Sequence, residues 1–457
     1  MGTSLKAGTA SITITPDRLL YLQGYGARTH AATGTLDPLE ARAIAFDDGS
    51  TRAAIVSADL LGLDASSVGR VRAAAEAASG IPGDNIMVSC SHTHSGPAVQ
   101  QFCDDPVDAE YLSWLERSLG EAVAAAAESM QPVTLAVGEG AADFNVNRRM
   151  RRRDGSVGGP NPTGPVERRV RVLRFDPADA PKSPGTLGGA RLPQSEPIAV
   201  LFSYVCHPTS LMSQSYRYSA DYPGAARRFV EGAYRGQGDG ETMAMFLPGC
   251  FGDVRPHLLD HGGAFRAATD HELEVLGRLL GAEVIRVAER LVGEDVEDIG
   301  LTRREVSLPY SHVPDLAELQ ASLEDERPNW WAQRLLGRLE REGSLPKEET
   351  GEVAALRLGR HWILTTPGET MLEIGWSIER GLVELGLAQP ERGDLTLALG
   401  YTNGNLGYLC TAGSILEGGY EPATAYNGYL RPGPFAPIVE HTLIQTALDM
   451  ALQIQPS

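Results

Sequence analysis

The stretch ARAIAFDDGSTRAAIVSADLLGL, residues 41–63, predicts two neighbouring strands joined by a tight turn. Apolar residues dominate both halves, and the DDGS between them, residues 47–50, is a typical hairpin signal. A helix is expected directly after this stretch, because Asp64 or Ser66 can cap its start and Gly80 can end it. This order of strands and helix indicates a fold of the α/β class.

The same alternation continues along the chain. Apolar strands such as IMVS (86–89) alternate with amphipathic helices such as DAEYLSWLERSLGEAVAAAAESM (108–130). We therefore predict layered, mixed β-sheets flanked by helices. The chain shows no fixed-period repeat and no strong break in composition, so residues 1–457 are expected to form one large domain. A charged helical excursion is expected at about residues 310–350.

The composition is that of an ordinary globular protein, with 42% hydrophobic and 22% charged residues. The net charge of −19 argues against a nucleic-acid partner, because phosphate backbones are bound by clustered Lys and Arg. No stretch approaches the ~20 apolar residues of a membrane span, and the N-terminus has no apolar run behind a basic start. The five cysteines form no CxxC pair. We expect a reduced, cytoplasmic protein without an integral membrane segment.

Metal-capable side chains follow apolar strands at four places in the sequence. They are His92 together with His94, then His207, Glu369 and Tyr408. Loops at strand ends are where a rigid scaffold presents reactive groups. A catalytic zinc takes three or four nitrogen or oxygen ligands and leaves a position for water. Two histidines, a carboxylate and a phenolate would suit such a site.

The spacing of His92 and His94 allows two interpretations. In an extended segment, residues i and i+2 point to the same side, so both rings can reach one site. They would then be two ligands of one metal, or one ligand and a neighbouring acid/base. A lone histidine at a strand end, such as His207, is more often a hydrogen-bonded structural residue. The pattern alone therefore leaves a metal site and a structural role open.

A series of motifs runs along the chain in a fixed order. The series is SHTHSGP (91–97), FNVNRR (144–149), VCHPTS (205–210), FLPGCFGDVRP (246–256), PGETMLEIGWSIER (367–380) and YTNGNLGYLCTAGSILEGGYEP (401–422). It resembles the motifs of the neutral/alkaline, non-lysosomal ceramidase family, over about residues 7–450. The histidine motif is specific, whereas the others are individually weaker but occur in the family's order. The resemblance implies a ceramidase-like α/β catalytic domain.

The resemblance implies a zinc site with one ion per chain. The positions that match the family's ligands are His92, His207, Glu369 and Tyr408. Tyrosine is an unusual zinc ligand, and the alternative for Tyr408 is an aromatic residue packed at a loop.

The resemblance also implies three catalytic residues. His94 would lie beside the metal as the acid/base or oxyanion partner, and Arg148 and Tyr420 would stabilise the transition state. Tyr420 follows Tyr408 by 12 residues, which is the separation of the family's two functional tyrosines. In such a site, zinc-activated water would attack an amide carbon and a proton would pass to the leaving amine.

Arg255 stands where the family has a serine. The family's Gly-Asp-Val-Ser-Pro loop reads GDVRP here, residues 252–256. A serine nucleophile is therefore excluded at this position, and zinc-activated water is favoured. Arg255 would bind an acidic group of the substrate or, alternatively, be an exposed surface arginine or form a salt bridge.

Full ceramidases also carry a C-terminal β-sandwich and a secretion signal, and we expect neither in this protein. No basic amphipathic helix for a membrane surface is evident either. We therefore expect a zinc-dependent amidohydrolase that cleaves a linear amide bond of a small, soluble N-acyl compound. The alternatives are a ceramidase acting on N-acylsphingosine, a hydrolase of an ester, lactone or imide, and a non-catalytic binding protein. A homo-oligomer is compatible with the sequence.

Overall fold

The computed structural model describes residues 5–179, 186–187, 190–191, 195–235, 241–324 and 329–455. Strands and helices alternate along these residues, as the sequence predicts. The strands are β1 (Lys6–Thr13), β2 (Gly34–Thr35), β3 (Glu40–Asp47), β4 (Arg52–Ala58), β5 (Ile86–Cys90), β6 (Gln131–Ala141), β7 (Asn145–Asn147), β8 (Arg169–Pro177), β9 (Thr186–Leu187), β10 (Ala190–Arg191), β11 (Ala199–Tyr204), β12 (Arg217–Tyr218), β13 (Met243–Pro248), β14 (Val254–Pro256), β15 (Ile299–Pro309), β16 (Glu348–Leu358), β17 (His361–Thr365), β18 (Glu369–Thr370), β19 (Thr396–Leu399) and β20 (Tyr408–Leu409).

Several helices begin at a side chain that caps their first turn. Asp64 accepts a hydrogen bond from the Ser67 amide at the start of the first helix, which ends at Gly80 with a φ of 68°. The helices are α1 (Ala65–Ser79), α2 (Ala109–Glu128), α3 (Asp221–Tyr234), α4 (Asp270–Ala288), α5 (Leu316–Leu323), α6 (Trp330–Glu342), α7 (Leu372–Glu384), α8 (Ala412–Glu417), α9 (Tyr420–Ala423) and α10 (Ile438–Gln453). Among the described residues, none of these helices combines the length and apolar character that crossing a membrane requires.

The larger sheet has eight strands in the order β13-β11-β8-β6-β1-β3-β4-β5. Strands β3 and β4 form the predicted hairpin, with Ile44 opposite Ile55 in antiparallel register. Strand β5 pairs parallel to β4, and β11 pairs parallel to β13. Both parallel pairs are joined by a helical crossover, through α1 and α3, because parallel neighbours cannot be connected by a tight turn.

The smaller sheet has four strands in the order β15-β16-β17-β19. Its parallel pair, β17 and β19, is again connected through a helix, α7. Both sheets therefore mix parallel and antiparallel pairs, and the predicted α/β fold of layered mixed sheets flanked by helices is confirmed. The organisation of residues 1–457 as one domain stays a prediction.

The two sheets share a core, and helices cover their outer sides. Phe175 and Leu201 of the larger sheet pack in one cluster with Leu356 and Leu397 of the smaller sheet. Helices α1 and α2 cover one half of the larger sheet, and α3 and α4 cover the other half. Helices α7 and α10 cover the smaller sheet. Each fully buried Leu or Phe side chain contributes about 1.5–3 kcal/mol, so this core holds the sheets together.

Backbone hydrogen bonds tie the two sheets together where their parallel strands end. The amide of Cys90, the last residue of β5, donates to the Tyr401 carbonyl at 3.1 Å. The Gly400 amide donates to the carbonyl of Pro248, which ends β13, also at 3.1 Å. The loops that follow these strands therefore meet at one edge of the molecule.

The expected helical excursion contains α5 and α6, while its residues 325–328 lie outside the described residues. Trp331 ties α6 to the rest of the protein. Its Nε1 donates a hydrogen bond of 2.8 Å to the Arg431 carbonyl, and its ring packs edge-on against Tyr426.

Candidate functional site

Four of the predicted metal-capable residues meet at the edge where the parallel strands end. His92 and His94 lie in the loop after β5, His207 follows β11, and Glu369 begins β18. The His92 ring lies 4.7 Å from the His207 ring and 4.9 Å from the His94 ring, measured between centroids.

One carboxylate oxygen of Glu369 faces the histidine cluster. Its Oε2 lies 3.2 Å from His92 Nε2 and 3.3 Å from His207 Nε2. His94 Nε2 lies 3.2 Å from His92 Nε2. Each of the three histidines offers a ring nitrogen to this cluster, and these atoms lie within 4.8 Å of one another. Together these atoms form a compact set of nitrogen and oxygen donors of the kind that binds metal ions.

A backbone carbonyl fixes the proton position in each imidazole. The Nδ1 atoms contact the carbonyl of Leu61 at 2.5 Å for His92, of Gly24 at 3.0 Å for His94 and of Phe251 at 3.0 Å for His207. A carbonyl oxygen only accepts hydrogen bonds, so each Nδ1 carries the proton and each Nε2 keeps its lone pair. Metal-binding histidines are commonly oriented in this way.

The converging lone pairs fit a cation. His92 Nε2 and His94 Nε2 lie 3.2 Å apart, and when both rings are neutral neither of these atoms carries a proton. His207 Nε2 and Glu369 Oε2 are buried and have no hydrogen-bond partner within the described chain. A buried polar atom without a partner costs about 1–3 kcal/mol, and a metal ion bound among these four atoms would remove that cost. The donor set therefore fits a metal ion.

Burial controls the charge state of the cluster. Desolvation lowers the pKa of His207 to about 3 and the pKa of His94 well below its usual value. At neutral pH His94 and His207 are therefore uncharged. These are the forms that bind metals.

The two histidines of SHTHSGP meet by a different route from the expected one. The sequence argument assumed an extended segment, but β5 ends at Cys90 and His92 has a φ of 64°. This left-handed backbone costs a non-glycine residue about 1–3 kcal/mol and persists only where surrounding contacts impose it. Here the His92 amide donates to the Leu60 carbonyl at 2.9 Å. The rings meet because the backbone turns, so the extended geometry was wrong although the proximity was right.

Tyr408 lies beside Glu369, because the two residues are paired in register in the short parallel ladder of β18 and β20. The Tyr408 hydroxyl accepts a hydrogen bond of 2.7 Å from Arg148 Nη2. Arg148 also donates to the Gly252 carbonyl at 2.6 Å and, through Nε, to Glu421 at 2.9 Å. Burial raises the pKa of Tyr408 well above its usual value, and the Arg148 charge opposes this rise. The structure thus places both predicted residues next to the cluster.

Tyr420 and Arg255 lie further out. Tyr420 is 52% exposed, and its ring meets the Tyr408 ring edge-on with centroids 5.7 Å apart. Arg255 donates to the Thr209 carbonyl at 3.3 Å, and its guanidinium lies 4.3 Å from the Phe265 ring centroid. Within the described part of the chain, Arg255 makes no ion pair, so the salt bridge considered from the sequence is not observed.

Three of the residues that surround the metal cluster and Arg148 without having been predicted are Tyr401, Glu421 and Tyr429. The Tyr429 hydroxyl donates a hydrogen bond to Glu369 Oε1. The Tyr401 ring lies 4.2 Å from the His92 ring, and Glu421 accepts the arginine hydrogen bond described above. Two of the three lie inside the tyrosine motif, which was the available signal, whereas Tyr429 lies outside every motif.

Comparisons with known proteins agree with this fold. The model of the family described as "Neutral/alkaline non-lysosomal ceramidase, N-terminal" matches residues 6–271, which is more than half of the chain. The crystal structure of neutral ceramidase from Pseudomonas aeruginosa matches with a TM-score of 0.75 at 18% identity, covering 100% of this chain and 75% of that chain. A structure of a ceramidase complexed with C2 matches with a TM-score of 0.73 at 17% identity, covering 98% and 75%. These structural matches show a shared fold.

Proposed function

This chain belongs to the neutral/alkaline non-lysosomal ceramidase family, and on that premise we propose that it is a zinc-dependent amidohydrolase. It would cleave an N-acyl amide bond in a small, soluble compound. The observation that carries the proposal is the convergence of His92 Nε2 and His207 Nε2 on Glu369 Oε2, with the His94 ring beside them. The buried atoms of this cluster that lack a hydrogen-bond partner support a metal centre, and the membership of the chain in this family supports hydrolysis.

We assign one zinc ion per chain to His92, His207, Glu369 and Tyr408. His92 Nε2 lies 3.2 Å and His207 Nε2 lies 3.3 Å from Glu369 Oε2, so the first three ligand atoms are close together. The Tyr408 hydroxyl already accepts a hydrogen bond from Arg148, so its second lone pair would bind the ion. When bound, zinc makes water acidic near neutral pH and polarises a carbonyl group.

We assign the proton transfer to His94. Its Nδ1 proton is held by the Gly24 carbonyl, so Nε2 is the atom that takes up and releases a proton. Burial keeps the ring uncharged at neutral pH, which suits a group that first accepts a proton from water. The protonated Nε2 then donates its proton to the leaving amine nitrogen, because an amine anion is a poor leaving group.

We assign stabilisation of the substrate oxygen to Arg148 and Tyr420. Arg148 is held by three acceptors, so its guanidinium needs little reorganisation when negative charge develops nearby. The half-exposed Tyr420 ring packs on Tyr408 and can turn its hydroxyl towards an entering substrate. Arg255 stands in place of the family serine, so this position offers no hydroxyl nucleophile, which favours attack by water.

The proposal is tested by metal content and amide hydrolysis of the purified protein. Elemental analysis should find about one zinc per chain. Hydrolysis of a panel of N-acyl amides should stop when the metal is chelated and return when zinc is added. His92→Ala should lose both zinc and activity, whereas the exposed His441→Ala serves as the matched control and should keep both.

Two outcomes would redirect the assignment. If His92→Ala binds zinc as tightly as the wild type, the metal site lies elsewhere. If the ester or lactone of an acyl group is cleaved while its amide is not, the enzyme acts on a different bond. Turnover of N-acylsphingosine would instead assign ceramidase activity.

A further inference from the structure

A second group of polar side chains lies beside His94. The Tyr25 ring packs against the His94 ring, with centroids 4.8 Å apart. The Arg28 guanidinium lies 5.0 Å from the Tyr25 ring centroid, and its Nη1 donates a hydrogen bond of 2.7 Å to the His94 carbonyl. Both residues come from the loop between β1 and β2, and neither was predicted as a site residue from the sequence.

Arg255 lies on the same side of His94, because it donates to the Thr209 carbonyl at 3.3 Å while the adjacent Pro208 carbonyl accepts from the His94 amide at 3.4 Å. Burial raises the pKa of the Tyr25 hydroxyl to about 12, and the charges of Arg255 and Arg28 oppose this rise. The Tyr25 hydroxyl and the Nε atoms of both arginines are buried and have no hydrogen-bond partner in the described chain. Three buried hydrogen-bond donors are therefore unused, the Tyr25 hydroxyl and one Nε–H group of each arginine.

Both arginines lack the ion pair that buried arginines form elsewhere in this protein. Arg28 is 6% exposed, and its nitrogens contact backbone carbonyl oxygens alone within the described residues. The other fully buried arginines of the described chain all contact a carboxylate: Arg42, Arg72, Arg149, Arg171, Arg174, Arg227 and Arg357. Arg28 and Arg255 are thus cations that the described chain leaves without a paired anion.

Two acidic residues act on these arginines only at longer range, Asp105 on Arg28 and Asp221 on Arg255. The Asp221 oxygens are already used, because they accept hydrogen bonds from the amides of Ser210 and Tyr222. Desolvation accordingly lowers the pKa of Arg28 to about 10 and the pKa of Arg255 below its usual value. The unused donors therefore fit an anion that comes from outside the chain.

We propose that Tyr25, Arg28 and Arg255 bind a carboxylate on the amine half of the substrate, so that the substrates are N-acyl amino acids. This inference rests on the proposed amide hydrolysis. Its location follows from His94, since the group that protonates the leaving nitrogen lies against Tyr25. A guanidinium binds a carboxylate with charge-assisted hydrogen bonds, which a neutral amine half cannot match.

The reaction on such a substrate balances as simple hydrolysis. The C–N bond breaks, the oxygen of water joins the acyl carbon, and the nitrogen leaves with a proton as a free amino acid. A sphingosine amine half carries hydroxyl groups but no anion. The pocket would therefore select against ceramide and in favour of the charged substrate.

The test uses two probes that differ in charge, N-octanoylglycine and N-octanoylglycinamide. The wild type should hydrolyse N-octanoylglycine with a kcat/KM at least about tenfold higher than that for N-octanoylglycinamide. This is the size of effect expected from a hydrogen bond to a charged group. Binding is measured separately by calorimetry with the two matching sulfonamides, N-(octylsulfonyl)glycine and N-(octylsulfonyl)glycinamide, which are not hydrolysed. The same preference should appear in Kd.

Arg255→Gln should erase the preference, and so should Arg255→Ser, which installs the family residue. Arg380→Gln is the matched control, since this exposed arginine on α7 lies outside the site, and it should keep the wild-type preference. Thermal unfolding of each variant shows whether it is folded.

The outcomes separate this inference from the proposed function. Equal binding of the two sulfonamides, or binding of neither, overturns the anion site. Hydrolysis of both amides without a charge preference also overturns it and leaves amide hydrolysis standing. A binding preference that Arg255→Gln removes, with neither amide hydrolysed, supports the anion site and contradicts the proposed function.

Discussion

The Tyr429 hydroxyl donates a hydrogen bond to Oε1 of Glu369, while Oε2 of the same carboxylate faces His92 and His207. Tyr429 is buried, and its ring packs edge-on against Phe102 with centroids 5.1 Å apart. The tyrosine therefore fixes the rotation of the carboxylate and leaves one oxygen for the cluster. Partners of this kind, which hold a ligand in place, affect metal binding almost as strongly as the ligands do.

We expect Tyr429→Phe to weaken zinc binding about 10- to 100-fold, because Glu369 loses the donor that orients it. Zinc affinity is measured by competition with a chromogenic chelator. Tyr426→Phe is the matched control, because the same hydroxyl is removed three residues away, where no hydrogen bond to the cluster exists among the described residues. Equal zinc affinity in Tyr429→Phe and the wild type would show that Glu369 needs no such support.

Gly24→Ala should displace the His94 ring. Gly24 has a φ of 108°, and a Cβ atom there would lie 2.5 Å from His94 Nδ1. We expect kcat to fall at least about 100-fold, the usual contribution of an acid/base group, while the zinc content stays near that of the wild type.

The control for this change is Gly155→Ala, where φ is 84° but nothing lies within 4 Å of the added atom. It carries the same backbone strain without a contact, so its kcat should be unchanged. A loss of zinc together with activity in Gly24→Ala would assign His94 as a metal ligand instead of the acid/base.

Arg148→Lys should lower kcat about 10²- to 10³-fold and change KM much less, because the donors act mainly on the charge that develops in the transition state. A lysine keeps the positive charge but cannot reach Tyr408, Glu421 and the Gly252 carbonyl at once. Steady-state kinetics on the best amide of the panel measure the effect, and the exposed Arg152→Lys is the control. An unchanged kcat would restrict Arg148 to a structural role.

Stability should fall in acid because of His361, which lies outside the candidate site. Burial, with a smaller contribution from Arg360, lowers the pKa of His361 from 6.5 to about 4, and the Leu395 amide donates to its Nδ1. The unfolded ring takes up a proton near pH 6.5, whereas the folded ring stays neutral until about pH 4. Stability from this group is therefore complete above pH 6.5 and lost as the pH falls towards 4.

The expected loss is about 2–3 kcal/mol, at roughly 1.4 kcal/mol for each unit of pKa shift. Denaturant unfolding at pH 7 and pH 4.5 measures it. In His361→Gln the side-chain oxygen can still accept a hydrogen bond from the Leu395 amide, but the side chain does not titrate. The difference in the free energy of unfolding between pH 7 and pH 4.5 should therefore shrink. His441→Gln, on the exposed side of α10, should leave the difference unchanged. Equal acid sensitivity of His361→Gln and the wild type would contradict the assignment.

Local signals in the sequence were sufficient for most of the fold. The DDGS turn at 47–50 and the caps at Asp64 and Gly80 depend on residues that are neighbours in the chain, and each was predicted correctly. The alternation of strands and helices likewise led to the layered α/β architecture. The conformation of His92 was not predicted, because its left-handed φ is imposed by contacts with a distant segment.

For the site, short motifs were enough to identify which residues come together. His92, His94, His207 and Glu369 were predicted as one cluster from a motif resemblance, and their side chains lie in contact. Periodicity alone had left their role open, because a histidine at a strand end serves structural and chemical roles alike.

The residues that tune this cluster were decided by the tertiary structure alone. The proton positions on the three imidazoles depend on which backbone carbonyls lie next to them, and those of Leu61 and Gly24 come from loops far away in the sequence. The hydrogen bond from Tyr429 to Glu369 and the unpaired charge of Arg28 likewise depend on segments that are distant in the sequence. Residue type determines what chemistry a side chain can perform, but burial and partners determine its charge and orientation, and both arise only when distant segments pack together.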